Sequence, residues 1–407
     1  MKRTLMIIGA ADEHCIGIKT AQRLGHKVFA TDGNATSVGF KIADAYRVAS
    51  TYDEEATLAV ARNFIAGGEH IDGVMTLASD VPYTVAYVAE KLGLPTIGIE
   101  SARFASEKVL MKQQFQKHGV PMPLFQEVRS AQELGAFAAQ TGFPVVVKPV
   151  DSRGARGVQL VRNQPGLNEA YSSAKEYSPQ GRVMVEQYLP GPQLSTEGFV
   201  IDGEAVIPSI FDRNYEFLER FAPYIVEDGG EMPSRFSDQY RQEVHDVMAA
   251  AAYALGIRTG IIKGDLVIHE GRVKVIELAA RMSGGFFATV AAPVSCGVNL
   301  VEANIRLALG EKLNREDLLP KWQKGAAIRF AFPPEGVIHS VNGWEQIQKD
   351  VACRFAHVFT KPGQIIAPIT NHPARPAVVV AEGTTTVQAV QNAKRMINQL
   401  KWEVNHD

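Results

Sequence analysis

The sequence predicts a mixed α/β and α+β fold, in which a doubly wound domain precedes a β-rich region. Two observations support this prediction. Strand-like and helix-like segments alternate up to about residue 100, and from residue 143 apolar strands follow one another with glycine-containing turns between them. With 407 residues, the chain exceeds what one hydrophobic core usually serves, so we expect several packed subdomains.

Composition narrows the class of protein. The net charge of −2 gives no general attraction to nucleic acid or to an anionic membrane, and no apolar run approaches membrane-spanning length. The three cysteines, Cys15, Cys296 and Cys353, are odd in number and lack metal-binding spacing. Reduced thiols in a cytoplasmic protein are therefore expected.

The first hundred residues predict a Rossmann-like domain. Residues 4–9 are strand-like, 16–25 helical and 27–31 strand-like again, and a further strand at 73–77 precedes a helix at 81–92. The familiar phosphate-binding signatures are missing: Gly17-Ile18-Lys19-Thr20 lacks the glycine before lysine that a P-loop needs, and no GxGxxG follows the first strand. We expect a scaffold or substrate-side domain here.

Two lysines begin the chemically informative part of the chain. Lys108 lies on an amphipathic helix at 106–118, and Lys148 lies inside the strand Val-Val-Val-Lys-Pro. A cation on a buried strand needs an anionic partner to offset its desolvation, and a nucleotide phosphate would serve. The alternative is a lysine at a strand end that reaches solvent.

A glycine- and arginine-containing loop follows Lys148 directly. Its small residues allow backbone N–H groups to approach phosphate oxygens, and its arginines add positive charge. The candidate phosphate ligands in this loop are Ser152, Arg153, Gly154, Arg156 and Gly157. An ordinary turn between two strands is the alternative.

Two acidic residues lie on what reads as an antiparallel hairpin. Asp265 and Glu277 fall on strands near 261–268 and 272–279, joined by Glu270-Gly271, so their side chains are expected side by side. Two carboxylates close to phosphates are what Mg²⁺ requires. Arg281 is expected on the same face, where it can neutralise charge on a transferred phosphoryl group. The alternative is a surface salt-bridge cluster.

These motifs, in this order, resemble those of the ATP-grasp superfamily, specifically its carboxylate-amine ligase, biotin carboxylase and carbamoyl phosphate synthetase branch. The resemblance implies an N-terminal Rossmann-like (pre-ATP-grasp) domain at 1–104 and an ATP-grasp domain at 105–320. The latter would divide into a small nucleotide-clamping subdomain at about 121–190 and a large catalytic subdomain at about 191–320. A C-terminal α+β extension would occupy 321–407.

The resemblance also implies roles for individual residues. Lys108 and Lys148 would contact ATP phosphates and the adenine edge, and the 151–157 loop would close over the β and γ phosphates. Glu186, with main-chain groups of Gln187 and Leu189, would hold the adenine amino group. Asp265 and Glu277 would bind Mg²⁺, with Mn²⁺ as an alternative ion. Arg281 and Lys148 would be the catalytic cations.

Two positions depart from the family pattern. Gln193 stands where a ribose-binding glutamate is expected, and Ala279 stands where an asparagine often adds a metal ligand. Water or Glu197 would then have to compensate for the missing ligand. These departures put the number of bound metal ions in question more than the reaction class.

The predicted function is an ATP-dependent ligase that activates a carboxylate as its acyl phosphate and couples it to an amine. Small-molecule carboxylate and amine substrates are the expected partners, without nucleic acid or membrane, and a homodimer is left open. The candidate substrate contacts are Arg213, Tyr215, Ser283, Gly284 and Gly285. The alternatives are a bicarbonate-dependent carboxylating or carbamoylating enzyme acting through carboxyphosphate, and a non-catalytic nucleotide-binding protein with the same fold.

Overall fold

The computed structural model describes residues 2–405 and begins with a parallel α/β unit. Its elements are β1 (Thr4–Ile8), α1 (His14–Arg23), β2 (Lys27–Asp32), β3 (Ala45–Val48), α2 (Glu54–Ala66), β4 (Gly73–Met75), α3 (Pro82–Lys91) and α4 (Ile99–Ser106). The four strands form a parallel sheet in the order β3-β2-β1-β4. All five residues of β1 are buried, because helices cover both faces of this central strand. The doubly wound prediction is therefore confirmed.

A small antiparallel unit follows. It comprises α5 (Lys108–Lys117), β5 (Phe125–Val128), α6 (Ala131–Thr141), β6 (Val145–Pro149), β7 (Gln159–Val161), α7 (Leu167–Glu176) and β8 (Val183–Gln187). The sheet order is β5-β8-β6-β7, and β7 pairs antiparallel with β6 as the sequence predicts. Apolar side chains of α6 and α7 pack with those of β6 and β8 in a core of their own. This core fixes the strand that carries Lys148.

The largest sheet begins with two long hairpins. The next elements are β9 (Gln193–Ile201), β10 (Glu204–Asn214), α8 (Leu218–Phe221), β11 (Gly229–Met232), α9 (Ser237–Ala254), β12 (Gly260–His269) and β13 (Arg272–Ala279). A π-helical turn (Phe287–Ala291), α10 (Ala292–Cys296) and α11 (Leu300–Ala308) complete this region. Helix α9 packs its apolar face on the sheet and, with residues of α5, forms a second core.

The last part of the chain extends the same sheet. Its elements are β14 (Gly325–Phe330), β15 (Gly336–Asn342), α12 (Trp344–Lys349), β16 (Cys353–Val358), β17 (Ile365–Ile366), β18 (Ala377–Gly383), α13 (Thr386–Ile397) and β19 (Lys401–Asn405). The eight-stranded order is β13-β12-β9-β10-β11-β14-β18-β16, and β17-β15-β19 form a separate sheet. The domain boundaries given above stay a prediction. Strand β14 pairs with β11 of the preceding region, and β18 and β16 continue the sheet from β14.

The predicted acidic hairpin has the expected register. Strands β12 and β13 pair antiparallel, and Asp265 stands directly opposite Glu277. The register shifts at a bulge after Asp265. Alternation of apolar residues together with Glu270-Gly271 at the turn was sufficient to predict this pairing.

Candidate active site

One cavity of about 700 Å³ lies where the four groups of elements meet. Its walls contain residues from the N-terminal α/β unit, the small antiparallel unit, the large sheet and the C-terminal segment. The predicted site residues that line it are Lys108, Lys148, Ser152, Arg153, Gly154, Arg156, Glu186, Gln187, Leu189, Gln193, Arg213, Tyr215, Asp265, Glu277, Arg281, Ser283, Gly284 and Gly285. The fold thus brings together residues that are far apart in the sequence.

A buried cluster of three charges lies at the small-unit side of the cavity. The Lys148 ammonium donates a hydrogen bond to Glu186 Oε2 at 2.6 Å. Lys112 Nζ lies 3.0 Å from Glu186 Oε1 and forms an ion pair with it, but the geometry does not meet that of a hydrogen bond. Lys148 is only 5% exposed. The alternative of a solvated strand-end lysine is therefore wrong.

The Glu186 carboxylate does not have the surroundings that the sequence predicted. Both of its oxygens face lysines, and the carboxylate is 3% exposed. Burial alone would raise the pKa of Glu186, but Lys112 and Lys148 outweigh burial and lower it. Glu186 lines the cavity, but its side chain serves as the counterion of two lysines. The predicted contact with the adenine amino group therefore falls to main-chain groups of Gln187 and Leu189, and this contact stays a prediction.

The loop after Lys148 is held from three sides. Lys108 Nζ donates to the Ser152 carbonyl at 2.8 Å, the Arg153 guanidinium lies 4.3 Å from the centre of the Tyr52 ring, and the His372 N–H donates to the Gly154 carbonyl at 3.1 Å. The N-terminal unit and the C-terminal segment therefore both contact this loop. Its phosphate-binding role stays a prediction.

Gly157 differs from the other loop residues because it does not line the cavity. Its φ is +71°, and an added Cβ would lie 2.8 Å from Tyr177 Cβ and 2.9 Å from Pro149 Cγ. Glycine is needed here for backbone conformation and close packing. The structure therefore supports a conformational role rather than direct nucleotide contact for Gly157.

The two acidic residues of the hairpin have different surroundings. Asp265 pairs with Arg213, at 3.1 Å between Oδ1 and Nη1, and with Lys263. Burial opposes its charge, yet Arg213 and Lys263 hold the pKa of Asp265 well below the usual range. The Glu277 side chain makes no hydrogen bond or ion pair with any residue between 2 and 405, so its carboxylate can accept a ligand.

These carboxylates fit a divalent cation shared with phosphates. Asp265 Oδ1 is buried without a hydrogen-bond partner of suitable geometry, and the Glu277 carboxylate is adjacent on the next strand. Mg²⁺ commonly uses one or two protein carboxylates and takes its other oxygens from phosphate and water. Within residues 2–405 no cluster of three His, Cys, Asp or Glu side chains could hold a metal by protein ligands alone.

Glu197 cannot supply the ligand that Ala279 lacks. Its side chain is fully buried, does not line the cavity, and accepts the Ser283 N–H at 3.2 Å and 3.3 Å on its two oxygens. Burial raises the pKa of Glu197 to about 7. The expectation that Glu197 compensates for Ala279 is wrong, and water remains as the compensating ligand.

Gly284 and Gly285 are predicted substrate contacts because a glycine pair can expose free backbone N–H donors, but one of these donors is already occupied. Glu13, from the first βα loop, accepts the N–H groups of Gly285 and Phe286 at 3.0 Å each and the Thr289 hydroxyl at 2.8 Å. The expectation of free backbone donors is therefore wrong at Gly285. Burial raises the pKa of Glu13 to about 7, against the opposing effect of these hydrogen bonds.

Arg281 connects the acidic hairpin to the N-terminal unit. Its Nε donates to Asp80 and its Nη1 donates to the Met282 carbonyl at 2.8 Å. Burial would lower the pKa of Arg281, but Asp80 outweighs burial and raises it. The guanidinium is therefore charged and fixed beside the hairpin, as its predicted role requires.

A chain of alternating charges leads from Asp265 toward the C-terminal segment. Arg213 pairs with Asp265 and also donates to Glu227 Oε2 at 2.6 Å, and Glu227 in turn contacts Arg375. Tyr215 lies against Arg213, and burial raises its pKa well above the usual range, so its phenol is neutral. Sequence reasoning missed Glu13, Glu227 and Arg375, because none lies in a recognisable motif.

Known families match successive parts of the chain. The ATP-grasp N-terminal domain matches residues 18–96, and the ATP-binding domain of the carbamoyl-phosphate synthase L chain matches residues 107–316, more than half of the chain. The chain belongs to the ATP-grasp superfamily. The L-amino acid ligase C-terminal domain 2 matches residues 329–405 of this ATP-grasp protein.

Relatives of this ATP-grasp protein include ligases. A D-alanine–D-alanine ligase of Gloeobacter violaceus is 33% identical over 200 residues, covering 46% of this chain and 63% of that protein. The carbamoyl phosphate synthase large chain of Clostridium perfringens is 26% identical over 308 residues, covering 74% of this chain and 28% of that protein. The matches thus span less than two thirds of each of these relatives.

Solved structures share the fold over the whole chain. The L-amino acid ligase of Bacillus licheniformis superposes with a TM-score of 0.84 at 22% identity, covering 100% of this chain and 99% of that one. The biotin carboxylase domain of a Hydrogenobacter thermophilus 2-oxoglutarate carboxylase gives a TM-score of 0.76 at 17% identity, covering 99% and 91%. Between residues 2 and 405, no helix has the length and apolar character needed to cross a membrane.

Proposed function

We propose that this ATP-grasp protein is an ATP-dependent carboxylate–amine ligase that forms an amide bond with release of ADP and phosphate. The observation that carries the proposal is one cavity that combines residues 152–156 of the loop, the Asp265–Glu277 pair and the fixed Arg281. The relatives that are carbon–nitrogen ligases, among them D-alanine–D-alanine ligase, support the same reaction class. Cytoplasmic location and a homodimer stay predictions.

The proposed reaction has two steps. A carboxylate oxygen of the first substrate attacks the γ-phosphorus of ATP, and the bond to ADP breaks. The amine nitrogen of the second substrate then attacks the acyl carbon and expels inorganic phosphate, and the nitrogen loses a proton to phosphate or water. Lys148 and the 151–157 loop would hold the phosphates, and Arg281 would balance negative charge as the phosphoryl group transfers.

The acidic hairpin would hold the divalent cation. Asp265 and Glu277 supply hard oxygen ligands, and Mg²⁺, when bound, neutralises charge on the nucleotide phosphates. Arg213 and Lys263 keep Asp265 ionised. Glu277 is the freer ligand of the two, so replacing it tests the metal site with less damage to neighbouring ion pairs.

The direct test is ADP release and product analysis over pairs of amino acids and other carboxylic acids. We expect ADP and phosphate as products, and hydroxylamine added in place of the amine should trap the acyl phosphate as a hydroxamate. We expect Glu277→Ala to lower turnover by about 10²–10³-fold, the loss typical of a group that stabilises transition-state charge. Glu176→Ala, on the exposed face of α7, is the matched control and should retain full activity.

Three outcomes would contradict the proposal. Release of AMP and pyrophosphate would exclude an acyl phosphate. Turnover that depends on bicarbonate would favour carboxylation through carboxyphosphate. Nucleotide binding without turnover for any substrate pair would favour the non-catalytic alternative.

A further inference from the structure

Arg375 reaches the cavity from the C-terminal segment and was not among the predicted site residues. It lies just before β18, is 9% exposed, and lines the same cavity as the acidic hairpin. Its guanidinium stacks on Phe330, with 3.5 Å between its central carbon and the ring centre. Such stacking fixes the plane of the cation.

The hydrogen bonds of Arg375 leave one donor group unused. Nε donates to the His372 carbonyl at 2.9 Å, and Nη1 lies 3.0 Å from the Glu227 carbonyl and 3.4 Å from Glu227 Oε1. Nη2 makes no hydrogen bond with residues 2–405. This nitrogen is 3.6 Å from the position of a Cβ built on Gly285, so it lies beside the loop that borders the cavity.

The charge around Arg375 is also incompletely balanced. Glu227 is shared between Arg375 and Arg213, and Arg213 additionally pairs with Asp265. Burial lowers the pKa of Arg375 to about 10, so the guanidinium still carries its charge at neutral pH. A buried cation that shares its counterion favours binding of a further anion.

Three backbone donors on this side of the cavity are already used. The Ser283 N–H donates to Glu197, and the N–H groups of Gly285 and Phe286 donate to Glu13. Arg281 is held by Asp80 beside the acidic hairpin, where the carboxylate that reacts with ATP would lie. Arg375 is therefore well placed for a second carboxylate, one that the reaction leaves intact.

We propose that Nη2 of Arg375 binds the carboxylate of the amine substrate, so that the acceptor is an amino acid or short peptide with a free carboxylate. This proposal rests on the ligase function proposed above and names the class of its second substrate. Arg375 thereby acts as a specificity-determining residue that contacts the acceptor and leaves the phosphoryl transfer to other groups.

The test compares acceptors that differ only in this charge. Glycine, L-alanine, L-serine and L-phenylalanine are each compared with their carboxamides, at saturating ATP and donor, by ADP release. Because a hydrogen bond to a charged group contributes about 1.5–3 kcal/mol, we expect the wild type to prefer the carboxylate by about 10- to 150-fold in kcat/KM. Arg375→Met should abolish the preference by raising KM for the carboxylate, with little change for the carboxamide.

Two further variants separate recognition from folding. Arg375→Lys keeps the charge and should restore part of the preference, and thermal unfolding establishes whether each variant is folded. If Arg375→Met does not fold, the preference is compared in Arg375→Lys and Arg375→Gln, which differ in charge. Arg354→Met is the matched control, since Arg354 pairs with Glu382 away from the cavity and should keep the wild-type preference.

The outcomes distinguish this proposal from the ligase function itself. Equal losses for carboxylate and carboxamide in a folded variant would mean a structural role and would overturn the proposal, as would an unchanged preference. If the wild type releases no ADP with any pair, the ligase function fails. Calorimetric titration of the same amino acids and carboxamides, with a non-hydrolysable ATP analogue present, then tests Arg375 separately. Binding that depends on the carboxylate and is lost in Arg375→Met supports the assignment. No difference in binding between amino acids and carboxamides overturns it.

Discussion

Removing the counterion of the two buried lysines should destabilise the protein strongly. Glu186→Gln deletes the negative charge between Lys148, at 2.6 Å, and Lys112, at 3.0 Å, and leaves two cations with at most 5% exposure. Loss of one partner from a buried ion pair typically costs about 3–5 kcal/mol in the free energy of unfolding. That loss is a large part of the roughly 5–15 kcal/mol that stabilises a typical domain.

The same cluster predicts a much smaller effect for Lys112→Met. This change leaves the closer Lys148–Glu186 pair intact and replaces a buried cation by an apolar side chain of similar length. Burial lowers the pKa of Lys112, which shows that its charge is poorly accommodated despite Glu186. We therefore expect a change within about 1 kcal/mol, in either direction.

Urea unfolding followed by circular dichroism measures both variants, with the exposed Glu176→Gln as control. A bound nucleotide should recover part of the loss in Glu186→Gln, because phosphate would provide Lys148 with a new counterion. Equal destabilisation by Glu186→Gln and Lys112→Met would refute the reasoning, since it would mean that lost packing rather than unbalanced charge sets the effect. A Glu186→Gln variant as stable as the wild type would refute it as well.

Three other predictions concern stability and the position of Arg281. Glu197 has a pKa of about 7 in the folded protein against an ordinary value of 4.5, so the folded state keeps a proton that the unfolded chain releases. The contribution of Glu197 to the free energy of unfolding should therefore fall as pH rises from about 4.5 to 7. Glu197→Gln should make the midpoint of urea unfolding less dependent on pH over this range. An unchanged pH dependence in the variant would contradict this role of Glu197. Gly9→Ala should lower the free energy of unfolding in urea more than Gly25→Ala does. Both glycines have positive φ, but an added Cβ at Gly9 would lie 2.3 Å from His14 Nε2, whereas one at Gly25 would have no atom within 4 Å. The overpacking at Gly9 should add about 1–3 kcal/mol to the loss. Asp80→Asn should lower kcat/KM for ADP release by about tenfold by loosening Arg281, with little change in thermal unfolding, and full activity would exclude a positioning role for Asp80.

Local patterns predicted much of the fold and part of the site. The pairing of Asp265 with Glu277 could be predicted because both lie on one hairpin, where strand alternation and the Glu270-Gly271 turn determine the register. The strand that carries Lys148 could be predicted for the same reason. In both cases the relevant contacts join residues close together in the sequence.

Contacts between distant segments could not be predicted in this way. Glu13 binds the backbone at Gly285 and Phe286, more than 270 residues further along the chain, and no pattern in the first βα loop indicates it. Glu186 was assigned to adenine by resemblance, but its environment depends on Lys112, which projects from a different element. Such pairings follow from how the subdomains pack, and the local patterns of a single sequence do not reveal that packing.

The segment between β16 and β18 contributes residues to the cavity, while its two ends are held in the large sheet. It carries Phe359, His372, Pro373 and Arg375 into the cavity, while its two ends, Val358 and Ala377, pair directly with each other in the large sheet. A loop that is closed at its base can change in length or composition at modest entropic cost. Exchange of this single segment would alter the proposed acceptor side of the cavity, while Lys148, Asp265, Glu277 and Arg281, which lie outside it, stay in place. The His372 contact with the Gly154 carbonyl links the segment to the proposed phosphate loop, and such an exchange would have to keep it.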